Sequence, residues 1–297
     1  MLALRLADAL TVGAALVLVY VALPRLLWPD WFRRDALGCV LAAASLQALL
    51  GLVWSVTVES RPGLEVALWF AFMALPAFWQ YRRAREEFAA IPTDRVLVLI
   101  ALAGVALRWV HPLLTATLGQ SDAYSHLQFL RDYVAQADLR HPYYPAGFHA
   151  VLALPTRLFS LDPYLVARYG GAFFGALLIL VLGRFAGAGS GQAVAIRYAA
   201  LLVACNPLAY LLAKTGVGVF PNQWGLVLLP FSLLGYARLR AREPGVMGWR
   251  LGLLGLAVSV PLLLIDLIQV VLLDVLIGSI RREWKFRGGR TGWLWGV

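Results

Sequence analysis

The chain has 297 residues, of which 61% are hydrophobic and 14% charged, with a mean hydropathy of +0.74. A water-soluble domain carries roughly 25% charged residues, so this composition excludes an ordinary soluble fold. The formal net charge is +10, but most arginines stand in short connectors beside apolar segments, as the positive-inside rule describes. We therefore expect the lipid bilayer as a partner and no nucleic acid.

Long apolar runs repeat along the chain, and several reach the roughly 20 residues that a helix needs to cross a bilayer. Segments this long and uniformly apolar favour helices over barrel strands. We predict helices at residues 7–27, 37–57, 65–80, 95–111, 146–159, 163–182, 193–212, 222–236 and 250–280. The predicted fold is all-α, a polytopic transmembrane helix bundle of about eight spans, with interfacial helices in the first large external loop.

Three regions follow from this segmentation. Residues 1–94 form an N-terminal three-helix membrane region, and residues 95–236 form a membrane core with an external loop at 113–162. Residues 237–297 form a C-terminal membrane segment with a basic tail. The run at 250–280 is too long for one straight span and too short for two, so this last region fits either a broken helix or a truncated chain.

The connector arginines predict the orientation of the bundle. If residues 81–95 are cytoplasmic, the other connector arginines fall on the same side, provided that 146–159 is a surface or re-entrant helix. These arginines are Arg25, Arg33, Arg34, Arg184, Arg197, Arg238, Arg240, Arg242 and Arg250. The loop at 113–145 is then external, in a multi-pass protein of the plasma membrane.

Residues 122–137 have the pattern of a helix that lies in the membrane interface. Its apolar stripe consists of Ala123, Leu127, Leu130, Val134 and Ala137. A second stripe, at the margin of the polar face, contains Asp122, His126, Phe129 and Tyr133. A purely structural explanation of Asp122 exists, because an acid in the first turn of a helix is favoured by the helix dipole.

Asp122 and His126 stand four residues apart and are therefore neighbours on one helix face. Such a pair can share a divalent cation, Mg or Mn, or divide general-base and substrate-binding roles between the two side chains. All four histidines lie between His111 and His149. The clustering indicates a site, although His and Tyr also concentrate at membrane interfaces for solvation reasons alone.

The stretches "SDAYSHL" and "YYPAGFHAVLALPTRLFSLDPYLVARYGGAFFGALLILVLGR" resemble the GT-C superfamily of membrane glycosyltransferases. The first is similar to the D-x-x-x-H loop of oligosaccharyltransferase-like members. Together they resemble bacterial members with D-A-x-x-H followed by Y-P-x-x-W-H. The matching positions are Asp122, Ala123, His126, Tyr144, Pro145, Phe148 and His149. The resemblance covers about residues 95–236.

The resemblance implies a polyprenyl-phosphate-linked sugar donor that is used at the non-cytoplasmic face. Asp122 would be the catalytic base or a metal ligand, with His126 beside it, and Tyr144 and His149 would bind substrate. Arg131, Arg140 or Arg168 is expected to hold the donor phosphate, since arginine binds phosphate through two parallel hydrogen bonds. The simpler reading of each of these arginines is a cation that faces lipid headgroups.

Two alternatives remain open. The chain has four predicted spans before the loop where the family usually has one, residues 214–222 lack the second acid that many members carry, and most members are longer. The missing acid and the short length fit a catalytically inactive or assembly subunit of a glycan-synthesis complex, with other membrane subunits as partners. A carrier or flippase centred on Asp266 and Asp274 is the other alternative, because acids inside apolar segments often mark transport pathways.

Overall fold

The computed structural model describes residues 1–57, 61–82, 94–118, 121–137, 147–190, 192–205 and 227, and its elements in these ranges are helical. They are α1 (Leu2–Val17), a π-helical turn (Leu18–Ala22), α2 (Leu23–Leu27), α3 (Pro29–Arg34), α4 (Ala36–Thr57), α5 (Pro62–Arg82), α6 (Arg95–Leu114), α7 (Ser121–Gln136), α8 (Gly147–Leu158), α9 (Pro163–Tyr169), α10 (Gly171–Ser190) and α11 (Ala193–Cys205). The predicted segment at 250–280 and the whole region 237–297, with Asp266 and Asp274, lie outside the described residues.

Among the residues that the structure describes, three stretches are long and apolar enough to cross a membrane. They are Leu2–Leu27 with 26 residues, Arg95–Leu114 with 20, and Pro163–Gly187 with 25. The first joins α1, the π-helical turn and α2 into one long rod, and the third joins α9 and α10. The described part of the chain is therefore all-helical and of membrane type, while the total of about eight spans stays a prediction.

Aspartates start three of these helices. The Asp94 carboxylate accepts a hydrogen bond from the backbone N–H of Val96 at 2.9 Å, at the beginning of α6. Asp162 accepts one from Tyr164 at 2.8 Å, at the beginning of α9. Before α4, Asp35 accepts one from the N–H of Gly38 at 2.9 Å. These bonds satisfy N–H groups that have no partner inside the helix, which fixes where each helix begins.

Helix α8 lies in the middle of the larger of two hydrophobic cores. That core takes side chains from α1, α4, α5, α7, α8, α9 and α10, so the predicted regions 1–94 and 95–236 share it. Every residue of α8 from Gly147 to Thr156 is buried. Protein therefore surrounds this segment, and its placement as a surface or a re-entrant helix stays a prediction. A smaller core joins α6, α10 and α11.

Four aromatic side chains donate hydrogen bonds to backbone carbonyls of neighbouring helices. They are Tyr20 to Val151 at 2.6 Å, Trp28 to Met73 at 2.8 Å, Trp69 to Ala43 at 3.2 Å and Trp109 to Tyr169 at 3.3 Å. Buried Tyr and Trp need a partner for their polar atom, and a carbonyl already engaged within its helix retains a second lone pair that accepts one.

Two ion pairs mark one end of the bundle. Arg184 near the end of α10 contacts Asp35 before α4 at 2.7 Å, and Arg197 in α11 contacts Asp94 before α6 at 3.1 Å. At the opposite end, Arg5 of α1 donates to the carbonyl of Leu113 at 2.9 Å. Arg184 and Arg197, which the positive-inside rule assigns to the same side of the membrane, thus lie at one end of the described bundle. Which side of a membrane that end faces stays a prediction.

Candidate functional site

The predicted helix at 122–137 is present as α7, and the stripe residues whose side chains the structure describes are buried or half-buried. In the apolar stripe, Ala123, Leu127, Leu130 and Ala137 are buried, and Val134 is half-buried. In the second stripe, His126 and Tyr133 are buried rather than marginal. The reason is that α7 packs against α8 and α9 and also contacts α5, so protein covers the faces that were expected to meet lipid and water.

His126 of α7 and His149 of α8 form a buried pair. Nδ1 of His126 lies 3.2 Å from Nε2 of His149, and the rings are stacked with centroids 5.4 Å apart. His126 is 4% exposed and His149 is fully buried. At this distance one ring donates a hydrogen bond and the other accepts it, with the tautomers deciding the direction. The structure thus joins two of the predicted site residues.

Burial sets the charge of the pair. Loss of hydration, and then the neighbouring His126, lower the pKa of His149 well below its usual range. Aromatic rings deepen this effect by excluding water, since Phe129 and Phe148 both contact His149 edge-on, with centroids 5.7 Å and 5.4 Å away. His149 is therefore neutral at neutral pH.

A small pocket opens beside the two imidazoles, with room for about one water molecule. It is lined by Leu118, Ala123, His126, Leu130, Phe148, His149, Leu152 and Ala167. Apart from the two imidazoles the walls are apolar, so any polar guest must be recognised by the histidine nitrogens. The pocket is too small for a sugar.

A buried network lies beside the histidine pair, around Glu65 of α5. Its Oε1 accepts hydrogen bonds from Gln47 Nε2 at 2.6 Å and from the Tyr133 hydroxyl at 2.7 Å. Its Oε2 pairs with Arg157 Nη1 at 2.5 Å. Burial, and then the Glu65 charge, raise the pKa of Tyr133, which keeps its proton and remains a donor. Four helices, α4, α5, α7 and α8, meet at this one carboxylate.

Arg157 also fastens the end of α7. Its guanidinium donates to the carbonyls of Tyr133 and Val134, which lie in the last turn of α7. The Tyr133 carbonyl also accepts the N–H of Ala137 at 2.8 Å, and a cation near the carbonyl end of a helix is favoured by the helix dipole. His126 contacts His149, and Tyr133, about two turns further along α7, contacts Arg157. The two helices are therefore joined at two levels.

Of the three arginines predicted to bind phosphate, the two that the structure describes lie in different settings. Arg131 is exposed on the outer face of α7. Arg168 of α9 donates to the carbonyls of Pro112, Thr115 and Ala116, where α6 ends. Arg168 thus holds the end of α6 as Arg157 holds the end of α7, and it also donates to the Tyr164 hydroxyl at 3.1 Å.

The remaining predicted residues are only partly described. Asp122 stands in the first turn of α7, one turn before His126, and its side chain is outside the described set. Tyr144 and Arg140 also lie outside it. Among the described residues no group of three or more His, Cys, Asp and Glu side chains comes together. A Mg or Mn site at Asp122 and His126 therefore stays a prediction.

Three charged residues of the site region were not predicted: Glu65, Arg157 and Arg108. Arg108 is buried within α6, donates to the carbonyl of Gly104 at 3.1 Å, and lies against Gly175 of α10, where a Cβ would come within 2.2 Å of its Nε. Glu65 is the first residue of the predicted segment 65–80, and Arg108 lies inside the predicted segment 95–111. A charge in that setting is rarely accidental, so this signal was available in the sequence.

Comparison with known proteins does not identify the chain. No protein-family model, curated protein or solved structure matches it. The resemblance to the GT-C superfamily therefore rests on the motifs of the sequence alone.

Proposed function

We propose that the chain is a membrane glycosyltransferase that moves a sugar from a polyprenyl-phosphate-linked donor to an acceptor at the non-cytoplasmic face. Asp122 is the general base. It takes the proton from the acceptor, whose heteroatom attacks the anomeric carbon of the sugar. The bond from that carbon to the phosphate oxygen breaks, and the electron pair leaves with the lipid phosphate. Arg131, exposed on the same helix, is the proposed contact of that phosphate.

One observation supports this proposal above others. His126 and His149 come from the two separate motifs on which the resemblance rests, 23 positions apart, and their nitrogens lie 3.2 Å apart in a buried pair. A site shared by the two motifs requires such a contact. The base stands one helical turn before this pair, on a helix fixed at its end by Arg157, and general-base catalysis needs such a fixed support.

The proposal is tested with purified protein in detergent and a panel of polyprenyl-phosphate hexoses and pentoses that carry a radiolabelled sugar. The measured product is free polyprenyl phosphate, with or without membrane extract as a source of acceptor. Asp122→Asn is expected to lower the rate by at least about 100-fold, the usual contribution of a general base. Asp132→Asn is the matched control, because Asp132 lies on the same helix and bonds only Gln128 at 2.9 Å in the described structure.

Wild-type release of lipid phosphate that depends on Asp122 and not on Asp132 supports the proposal. Equal rates in the two variants refute Asp122 as the base. Absence of release by the wild type with every donor favours the assembly-subunit alternative instead. Asp266→Asn and Asp274→Asn, tested in the same assay and in a lipid-flipping assay, distinguish the carrier alternative.

Sidedness provides an independent test. Ser125 is exposed on α7, so a Ser125→Cys variant in a Cys39→Ala, Cys205→Ala background reports on the loop. Labelling of intact cells with a membrane-impermeant maleimide is expected. Arg33→Cys at the opposite end of the bundle serves as control and should label only after lysis. The reverse pattern would remove the support for a lipid-linked donor outside the cell.

A further inference from the structure

We propose that Glu65 and Arg157 are positioning residues, which together hold α7 in the place that its proposed base, Asp122, needs for transfer. The inference rests on the proposed function. Both residues act through the helix, since their described contacts are with protein groups. Glu65 belongs to α5, outside the region 95–236 that resembles the GT-C superfamily. The N-terminal membrane region therefore supplies part of the support of the site.

Arg157 fixes both the position and the direction of the last turn of α7. Its Nε donates to the carbonyl of Val134 at 3.0 Å, and its Nη2 donates to the carbonyl of Tyr133. The guanidinium carbon also lies 5.2 Å from the centre of the Tyr133 ring. Two nitrogens of one rigid, planar group thus contact two successive carbonyls. A lysine ammonium is a single charge on a flexible chain and cannot make the same paired contact.

Glu65 holds Arg157 in this orientation. Its Oε2 accepts from Arg157 Nη1 at 2.5 Å, while its Oε1 accepts from Tyr133 of α7 at 2.7 Å and from Gln47 of α4 at 2.6 Å. Contacts with three neighbouring helices leave the carboxylate little freedom to turn. Glu65 is fully buried, and the side chain of Arg157 is 10% exposed, so water does not compete strongly for these bonds.

Asp122 stands at the opposite end of α7 from these bonds, and the His126–His149 contact lies between the two ends. Without the Arg157 bonds, α7 can turn about that contact. Tyr133 stands seven positions after His126, and Asp122 stands four positions before it. At about 1.5 Å per residue the two arms of this rotation measure about 10 Å and 6 Å, so a shift of about 1.5 Å at Tyr133 moves the backbone at Asp122 by about 1 Å. A misplacement of about 1 Å can lower a reaction rate by about 100-fold.

The kinetic test uses Arg157→Lys in the assay of lipid-phosphate release, with the full chain in detergent. Lysine keeps the charge beside Glu65 and loses the paired contact with the carbonyls. We expect kcat per folded molecule to fall by roughly tenfold to 100-fold, while KM for the donor changes by less than about twofold. Arg184→Lys is the matched control, because Arg184 also pairs with a carboxylate, that of Asp35, and lies at the opposite end of the bundle. Its kcat should equal that of the wild type.

The double variant Glu65→Gln, Arg157→Met separates positioning from stability. It leaves neither charge uncompensated, so it should lose less stability than the two single variants together. It still lacks the bonds to the carbonyls of α7, so its kcat should be no higher than that of Arg157→Met. A kcat that rises with the stability would show that the pair acts through folding alone and would overturn the proposal. Equal kcat in Arg157→Lys and Arg184→Lys would overturn it as well.

Hydrogen exchange measures the support of α7 without a substrate. In Arg157→Lys the backbone amides of α7 should exchange severalfold faster than in the wild type, while those of α6 keep their rates. Unchanged exchange in α7 overturns the proposal. If the wild type releases no lipid phosphate with any donor, the proposed function fails, and the exchange of α7 then decides by itself whether Arg157 positions the helix.

Discussion

Replacing Glu65 should cause one of the largest losses of stability in this protein. Glu65 is fully buried and accepts hydrogen bonds from Gln47 and Tyr133 while it pairs with Arg157. Glu65→Gln keeps the size of the side chain and removes the charge. The new amide nitrogen is a donor, so wherever it turns it meets one of these donors. The charge of Arg157, whose side chain is 10% exposed, then lacks its counterion.

Removing one partner of a buried ion pair costs about 3–5 kcal/mol, and we expect the free energy of unfolding of Glu65→Gln to fall by this amount. Tyr133→Phe removes a single hydrogen bond to a charged group and should cost about 1.5–3 kcal/mol. The assay is unfolding in mixed detergent micelles with increasing dodecyl sulfate, followed by circular dichroism. Tryptophan fluorescence provides a second probe.

Asp94→Asn is the matched control. Asp94 also pairs with an arginine, Arg197, but that arginine is 47% exposed, and asparagine can still cap the start of α6. Exposed ion pairs contribute little to stability, so no measurable change is expected. A second check is Glu65→Gln combined with Arg157→Met. The double variant should lose less than the sum of the two single losses, because it leaves neither charge uncompensated.

The reasoning is refuted if Glu65→Gln and Asp94→Asn have the same free energy of unfolding, or if the losses of Glu65→Gln and Arg157→Met simply add.

Three further predictions concern packing, pH and access. Gly51→Ala should destabilise by about 1–3 kcal/mol, because its Cβ would lie 2.4 Å from a methyl carbon of α8, whereas Gly63→Ala, with nothing within 4 Å, should be neutral or stabilising in the same unfolding assay. Burial lowers the pKa of His149 in the folded state. Below the unfolded value of about 6.5 the unfolded chain therefore binds more protons, and thermal stability should fall from pH 7 to pH 5, less steeply in His149→Gln. Maleimide should modify exposed Cys205 of the native protein in detergent and leave buried Cys39 unmodified, as read by mass spectrometry.

Each of these has a clear contrary result. Equal stabilities of the Gly51 and Gly63 variants would mean that α4 and α8 are not in close contact. If thermal stability falls as steeply between pH 7 and pH 5 in His149→Gln as in the wild type, the His149 ring is not the group that resists protonation. Labelling of Cys39 at the rate of Cys205 would mean that α4 does not bury it.

The helices were predictable because their signals are local. The predicted segments at 37–57 and 95–111 correspond to α4 (Ala36–Thr57) and α6 (Arg95–Leu114). A run of apolar residues of bilayer length is readable from the chain alone, and an aspartate such as Asp94 marks where a helix begins. The periodicity of α7 also predicted its apolar face correctly.

The site was predictable only as a set of residues. His126 and His149 were both named from the sequence, but their pairing depends on how α7 packs against α8. Glu65 and Arg157 are 92 positions apart, and no local pattern relates them. Arg168 was named from the sequence as a phosphate ligand, but it packs against the end of α6. The sequence alone does not show which helix end an arginine will contact. Burial of the second stripe of α7 was missed for the same reason.

The bonds from aromatic side chains to backbone carbonyls differ from the bonds of Glu65 in how mutation can affect them. When Tyr20 donates to the carbonyl of Val151, or Trp69 to that of Ala43, the acceptor belongs to the main chain, and every amino acid supplies it. Only the donor can be lost by substitution. Homologous chains can therefore vary at positions 151 and 43 without losing these helix contacts, whereas a change at either end of the Glu65–Arg157 pair breaks it. Substitutions should therefore be tolerated at the acceptor position of each aromatic contact, and at neither position of the Glu65–Arg157 pair.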